Sequence, residues 1–421
     1  MKFSVRPSAI RGEALIPASK SHTIRAVFFA ALAEGTSVIR NPLISADAES
    51  AACAVASMGA VVERDEGLWR VTGLGGVVAT PIGPVDVGNS GTTARFALSY
   101  AALGCAPIMV TGDEQTRARP MGPLLDALSS LGARTSSANG KLPATVEGPL
   151  SGGAAKVDGR TSQFLSSLLI HTPLAPRDTV LTLKSLNEKP YVDMTARWLD
   201  ELGVRYRREG YSRFEIKGGQ RYPAFDRLVP GDFSSATFFA CLGAIPGNRV
   251  ALLGLDMGDS QGDKAIFDYL EAMGAKVEYG RDAITVTGDA LRGVTLDLNA
   301  TPDALPALAA LAAMADGVTR LENTPQARIK ETDRIAVMAQ ELGAMGARVE
   351  EKPDGLVIHG GGLKGARVSG HGDHRVVMSL AMAGCVAPGE TVIDTAEAVA
   401  ITCPTFAALL TACGGDIRAV G

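Results

Sequence analysis

The sequence has no Cys-x-x-Cys pair. Its 6 cysteines, Cys53, Cys105, Cys241, Cys385, Cys403 and Cys413, are scattered over 421 residues, and its 5 histidines show no zinc-finger spacing. His371 and His374 stand three apart beside Asp373, but no third ligand accompanies them, so a reducing compartment and no metal site are expected. Long apolar runs are missing too. Ala304 to Ala315 is too short to cross a bilayer, and Met1-Lys2-Phe3-Ser4-Val5-Arg6 lacks a signal peptide's apolar core, so a cytoplasmic location without membrane contact is expected. Nor is there an excess of positive charge. With 41 Lys and Arg against 45 Asp and Glu, the formal net charge is −4, and neither nucleic acid nor an anionic membrane is an expected partner. Any basic site must be local. There is no Gly-x-x-x-x-Gly-Lys-[Ser/Thr], no Gly-x-Gly-x-x-Gly after a strand, and no Gly-x-Ser-x-Gly elbow, which leaves nucleotide binding and serine hydrolysis unsupported.

What is present suffices for a large core. A chain of this length, 46% hydrophobic and 20% charged, is expected to form two soluble domains. A helix-ending phrase of apolar residue, glycine and small residue recurs at Gly59, Gly132, Gly203, Gly274, Gly346 and Gly414, a period of roughly 70 residues. Five of the six are followed by two alternating runs joined by a turn, as in Leu68 to Gly73 and Ala283 to Gly288, which predicts a strand hairpin after each helix. Within one period, Ile24, Val27, Phe28, Ala31 and Leu32 fall at helical spacing, Gly35 is expected to end that helix, and Ser37 to Arg40 reads as a strand. The expected unit is therefore strand-helix-strand-helix-strand-strand, six times over, in an α/β protein of two similar three-repeat domains. A polar, proline-containing stretch at Tyr222 to Asp226 places the break, giving domains of 18–225 and of 1–17 with 226–421.

The unusual polar residues gather at helix starts. Gly88-Asn89-Ser90-Gly91-Thr92-Thr93-Ala94-Arg95 runs from a turn into an apolar helix, and its free N–H groups and positive dipole end suit an anion. Similar starts are expected at Ser19-Lys20-Ser21, Arg160-Thr161-Ser162-Gln163, Gly231-Asp232, Pro302-Asp303, Lys330 to Arg334 and Gly372-Asp373-His374-Arg375, while Arg117 to Pro120 reads as a turn before a helix from Met121. Each of these is also an ordinary cap or a solvated charge when taken alone. If the repeats pack about a pseudo-threefold axis in each half, the starts converge on a cleft suited to a small polyanion.

Taken together and in order, these residues resemble the enolpyruvyl transferases, and among them the EPSP synthase family. The match runs from Ser19-Lys20-Ser21 through Gly88-Asn89-Ser90-Gly91-Thr92, Arg119-Pro120-Met121, Ser162-Gln163-Phe164, Lys189-Pro190-Tyr191, Pro302-Asp303, Lys330-Glu331-Thr332-Asp333-Arg334 and Asp373-His374-Arg375 to Pro404-Thr405-Phe406. The resemblance implies two inside-out α/β domains closing on shikimate 3-phosphate and phosphoenolpyruvate, with the active site in the interdomain cleft. The implied reaction moves the enolpyruvyl group to the 5-hydroxyl of shikimate 3-phosphate and releases phosphate, a step of the shikimate pathway to aromatic amino acids. It needs no metal or organic cofactor, its partners are small-molecule substrates only, and a monomer is expected.

The resemblance also implies roles. Lys20, Ser21, Arg25, Thr161, Ser162, Gln163, Asp303, Gln326 and Lys330 would hold shikimate 3-phosphate, and Lys20, Gly91, Arg119, Gln163, Arg334, His374 and Arg375 would hold phosphoenolpyruvate. Asp303 would be the base on the acceptor hydroxyl, with Glu331 and Lys20 carrying the proton traffic. Glyphosate would compete with phosphoenolpyruvate beside Gly91. The chain departs from the family at Glu188, where many members have a phosphate-binding serine, at Thr161, which replaces another serine, and around Ile401, Thr402 and Pro404, where many carry a lysine. A pair with Arg160 is expected to neutralise Glu188; the alternative is a different, unphosphorylated acceptor. Two rivals remain in view. Transfer to UDP-N-acetylglucosamine uses a loop cysteine, and Thr111 to Pro120 has none; a non-catalytic anion-binding relative would not need Asp303, Glu331 and Lys20.

Overall fold

A computed structural model describes residues 1–421. The glycine that closes each repeat is there for a conformational reason: Gly59, Gly132, Gly203, Gly274, Gly346 and Gly414 have φ values from +73° to +110°, a backbone region that a Cβ disfavours. The chain reverses there from helix into a sheet.

Six small sheets follow one pattern. In the third repeat, Gly153–Lys156 runs parallel to Thr179–Thr182 with the helix Ser162–His171 between them in sequence. Thr179–Thr182 is antiparallel to Arg213–Ile216, which closes a hairpin with Tyr206–Glu209. The second and fifth repeats are built the same way. The other three sheets take a strand from a distant part of the chain. Tyr222–Pro223 and Asp226–Leu228 run parallel to Ala33–Arg40 in the first sheet, and Arg11–Leu15 runs parallel to Arg249–Leu253 in the fourth. In the sixth, Lys2–Arg6 stands between Thr391–Ile393 and Asp416–Val420.

The chain forms two compact units, Lys20–Val229 and Met1–Ser19 with Pro230–Gly421. Residues 226–229 lie in the first unit, and not in the second as expected, because Asp226, Arg227 and Leu228 pair in register with Val38, Ile39 and Arg40; residues 18 and 19 lie in the second, where Ala18 bridges Gly231 and the Ser19 N–H donates to the Pro230 carbonyl. Gly35 does not end the first helix. That helix stops at Leu32, and Ala33 and Glu34 already pair with Tyr222 and Pro223, so Gly35 sits inside a strand. The segment expected to be only a turn before Pro120 contains a short helix, Glu114–Ala118, capped by the Asp113 carboxylate on the Thr116 N–H.

Burial sorts the helices into two kinds. Lys20–Leu32, Gly91–Ala101 and Ser162–His171 are buried on nearly every side in one unit, and Phe233–Ala244, Leu305–Ala312 and His374–Gly384 in the other. A helix apolar all round can only be a core helix. The second helix of a repeat is amphipathic instead: Lys189–Glu201 buries Val192, Thr195, Ala196 and Leu199 and turns its charges outward. A helix surrounded by protein can meet a ligand only at its ends, so the polar residues of these six core helices matter where the helices begin. No helix is long and apolar enough to cross a membrane.

At the centre of the first unit, Phe28 meets Phe96 edge-on at 5.4 Å and His171 at 6.1 Å, while Tyr100 meets His171 at 5.9 Å. His171 Nδ1 lies 2.7 Å from the Ser167 carbonyl, and its Nε2 is buried without a hydrogen-bond partner. Burial pushes this imidazole down to about 4, against a smaller opposite effect of the Ser167 contact. The folded state therefore resists a proton that the unfolded chain takes up near pH 6.5, so stability is full above that pH and is lost as pH falls toward 4. The loss reaches about 2 kcal/mol by pH 5. His171→Phe is expected to flatten the decline in unfolding midpoint between pH 7 and pH 5; an equal decline in both proteins would exclude His171 as the cause.

Candidate active site

In the unit Lys20–Val229, Lys20 opens the first core helix and its Nζ lies 3.0 Å from Asp47 Oδ2. Asp47 is buried in the first turn of Ala46–Ser57, a helix capped by the Ser45 hydroxyl on the Ala48 N–H. The ammonium is thus held by a carboxylate at the next helix start. Ser21 follows, and its carbonyl accepts from Arg25 Nη1 at 3.0 Å. Arg25 also donates to Thr195 Oγ1 at 2.9 Å, the Tyr191 carbonyl at 3.0 Å and Ser166 Oγ at 3.5 Å, and burial lowers its pKa to about 10. Its guanidinium therefore ties the first core helix to Ser162–His171 and Lys189–Glu201.

Gly91 begins the second core helix, which Ser90 caps through the Thr93 N–H. Two guanidiniums crowd its α-carbon: a Cβ there would lie 2.2 Å from Arg119 Nη1 and 2.5 Å from Arg95 Nη1. Arg95 Nη1 donates to the Gly91 carbonyl at 2.8 Å and Nη2 to the Pro120 carbonyl at 3.3 Å. Two cations beside a helix N-terminus make an anion site in which only a residue without a side chain leaves them room.

The third core helix begins at Ser162 with Thr161 as its cap. The anion here is internal. Glu188 Oε2 accepts from Ser162 Oγ at 2.8 Å, the Ser162 N–H at 3.0 Å and Thr161 Oγ1 at 3.1 Å, and Glu188 is 1% exposed. Arg160 is not its partner, contrary to the sequence expectation. Arg160 Nε and Nη2 bind Asp158 Oδ2 at 2.9 and 2.7 Å, and the Arg160 N–H closes a turn onto Asp158 Oδ1. A carboxylate two residues away wins over one twenty-eight residues away. Gln163 lies in the first turn, with its Oε1 buried and lacking a hydrogen-bond partner.

In the other unit, Arg334 organises the charges. It is 1% exposed, opens the helix Arg334–Ala344, and reaches three carboxylates: Asp303 Oδ1 at 2.7 Å, Glu331 Oε2 at 2.6 Å, and Asp373 at 2.8 Å through Nε and 3.2 Å through Nη2. Asp303 also faces Arg375 Nη2 at 3.1 Å and Lys330 Nζ at 3.8 Å. Burial alone would raise the Asp303 pKa, but Arg375, Lys330 and Arg334 outweigh burial and hold it far below the usual carboxylate range. Burial likewise opposes the charge of Arg334, and Asp373, Glu331 and Asp303 more than restore it. Asp373 caps the last core helix through the Arg375 N–H and fixes Arg334 from the side. His374 is fully buried, with Nδ1 4.0 Å from Asp373 Oδ1. Gln326 is buried and donates to the Asn299 carbonyl at 3.0 Å; no hydrogen bond joins it to the Asp303 cluster, and its Oε1 is buried without a partner.

Chemically, this cluster is a buried carboxylate whose charge three cations offset. A carboxylate so neutralised is a poor proton acceptor, and any anion that drew those cations away would raise its pKa. Three neighbours of these residues had no role in the sequence reading: Asp47 behind Lys20, which it did not name, and Arg95 beside Gly91 and Asp373 behind Arg334, which it named only within helix-start motifs. Asp47 and Asp373 each stand at the start of a helix, where an acidic residue reads as an ordinary cap. A cleft of about 740 Å³ lined by residues such as Asp178, Tyr206, Arg208 and Lys217 contains none of the residues named for the site.

The model of the family described as EPSP synthase (3-phosphoshikimate 1-carboxyvinyltransferase) matches residues 5–410. The 3-phosphoshikimate 1-carboxyvinyltransferase of Acetivibrio thermocellus is 53% identical over 419 residues, covering 99% of each chain. That of Ruminiclostridium cellulolyticum is 48% identical over 422 residues, covering 100% of each. Among solved structures, an EPSP synthase from Acinetobacter baumannii superposes with a TM-score of 0.84 at 28% identity, covering 100% of both chains.

Proposed function

Because the chain belongs to the EPSP synthase family, and so transfers the carboxyvinyl group of phosphoenolpyruvate to the 5-hydroxyl of shikimate 3-phosphate in the shikimate pathway, we propose a division of labour among its charged groups. Lys20, Ser21, Arg25, Thr161, Ser162, Gln163, Gln326 and Lys330 engage shikimate 3-phosphate. Lys20, Gly91, Arg119, Gln163, Arg334, His374 and Arg375 engage phosphoenolpyruvate. One observation carries the mechanism: Asp303 lies against Arg334, Arg375 and Lys330, so one carboxylate faces cations suited to both anionic substrates.

The reaction begins with a proton delivered to the methylene carbon of phosphoenolpyruvate while the acceptor hydroxyl loses its proton to Asp303 and its oxygen bonds to the neighbouring carbon. The tetrahedral adduct then breaks its carbon–phosphate oxygen bond, and loss of a proton from the methyl carbon restores the double bond. Glu331 and Lys20 carry the protons at carbon. Arg119, Arg334 and Arg375 stabilise the carboxylate and the departing phosphate. The enzyme acts as a monomer in this reading. Phosphate release with shikimate 3-phosphate, with shikimate and with UDP-N-acetylglucosamine as acceptors tests the assignment; equal rates with all three would contradict it.

Gly91 supplies a second check. An alanine there forces the Arg119 and Arg95 guanidiniums to move. Gly91→Ala is expected to raise KM for phosphoenolpyruvate about 10- to 100-fold, the worth of one charge-assisted hydrogen bond, and to weaken inhibition by glyphosate. Unchanged KM and inhibition would place the small anion elsewhere.

A further inference from the structure

We infer that Glu188 is a built-in competitor for the acceptor's phosphate: its carboxylate occupies the donors of Thr161 and Ser162 in the unliganded enzyme and is displaced when shikimate 3-phosphate binds. This rests on the assignment of Thr161 and Ser162 to that substrate. The geometry is that of a ligand and its site. One carboxylate oxygen takes two hydroxyl donors and one backbone N–H within 2.8 to 3.1 Å, at the positive end of a buried helix. A phosphate monoester needs the same kind of donors. Each hydroxyl has one hydrogen and so does the N–H, so the carboxylate and a phosphate cannot both be served.

The backbone aims Glu188 at this place. Its φ of +57° and ψ of +40° put a residue other than glycine in the left-handed region, immediately before a helix whose second residue is Pro190. In that position a polar side chain usually caps its own helix, but Glu188 makes no such bond and turns to the neighbouring helix start. Arg160 is occupied by Asp158 and does not draw the carboxylate away.

Two consequences follow. Unliganded donors stay satisfied and ordered, and an acceptor gains from them only if its phosphate outcompetes a resident carboxylate. Glu188 then lowers affinity for the phosphorylated acceptor, and for that acceptor alone, because only a phosphate has to displace it.

Steady-state kinetics on Glu188→Ser, Glu188→Gln and Glu188→Gly test this. Glycine suits the left-handed backbone and guards against a variant that fails to fold. The expected result is a KM for shikimate 3-phosphate lowered at least tenfold in the Ser and Gly variants, equivalent to about 1.4 kcal/mol. Gln, which can still accept the same bonds without charge, should fall between them and the wild type. The change should be carried by KM rather than kcat, with KM for phosphoenolpyruvate and kcat/KM for shikimate moving less than threefold. A KM for shikimate 3-phosphate that is unchanged or raised in all three variants overturns the inference while leaving the function intact, as does an equal gain with shikimate. Absence of phosphate release from the wild type and every variant overturns the functional assignment itself, and the inference with it.

Discussion

Asp303→Asn should lower kcat by about 100- to 10,000-fold, the usual worth of a positioned general base, or roughly 3 to 5 kcal/mol of transition-state stabilisation. The substitution keeps the shape and one acceptor oxygen. It removes the negative charge that Arg334 faces at 2.7 Å and Arg375 at 3.1 Å. With that charge gone, the two guanidiniums present more uncompensated positive charge, so phosphoenolpyruvate should bind as tightly as before or more tightly. A fall in kcat without loss of binding separates a base from a mere binding group. Titration calorimetry with phosphoenolpyruvate and initial rates with both substrates would measure the two quantities. Near-normal turnover would remove Asp303 from the mechanism, and lost phosphoenolpyruvate affinity would make it a positioning residue instead.

Arg334→Ala is expected to be the most destabilising change in the site. Asp303, Glu331 and Asp373 lie at 17%, 10% and 0% side-chain exposure around a guanidinium at 1%. Removing one partner of a buried ion network typically costs about 3 to 5 kcal/mol, because the charges left behind cannot return to water. The pH dependence identifies the cause. Without Arg334, the fully buried Asp373, whose charge Arg334 chiefly offsets, is expected to titrate above its unfolded value, so the folded variant takes up a proton first as pH falls. The deficit should therefore shrink between pH 7 and pH 5, opposite to the His171 effect. Urea unfolding of wild type and variant at the two pH values checks this. A deficit under about 1 kcal/mol at pH 7 would show a network too well solvated to matter, as exposed pairs are.

The repeat was legible because its signal is local and steric. A helix that must turn back into a sheet ends best on a residue able to adopt positive φ, and Gly59, Gly132, Gly203, Gly274, Gly346 and Gly414 all do so. The helix starts were legible for a similar reason: Ser90, Thr161, Asp232, Asp333 and Asp373 each satisfy a free N–H within three residues along the chain. Pairing between distant segments left no such mark. Nothing in Asp226-Arg227-Leu228 announces that it will lie beside Val38-Ile39-Arg40, because register depends on residues nearly two hundred positions away.

The site divides along the same line. Lys330, Glu331 and Arg334 are neighbours in sequence, whereas Asp373 reaches Arg334 from thirty-nine positions on and Asp47 reaches Lys20 from twenty-seven. Glu188 is the sharpest case. Its sequence position marked it as a charge needing an offset, but the hydroxyls and N–H that receive it lie on another helix. One local clue pointed the right way for its supposed partner: Asp158-Gly159-Arg160 is a turn in which an aspartate readily holds the arginine two residues on.

The most direct measurement is mass spectrometry of the products formed by purified protein from phosphoenolpyruvate and shikimate 3-phosphate. The expected result is one inorganic phosphate released for each acceptor that gains one carboxyvinyl group, attached through its 5-hydroxyl. Phosphate released without that adduct, or no conversion of shikimate 3-phosphate under conditions where another acceptor is modified, would contradict it.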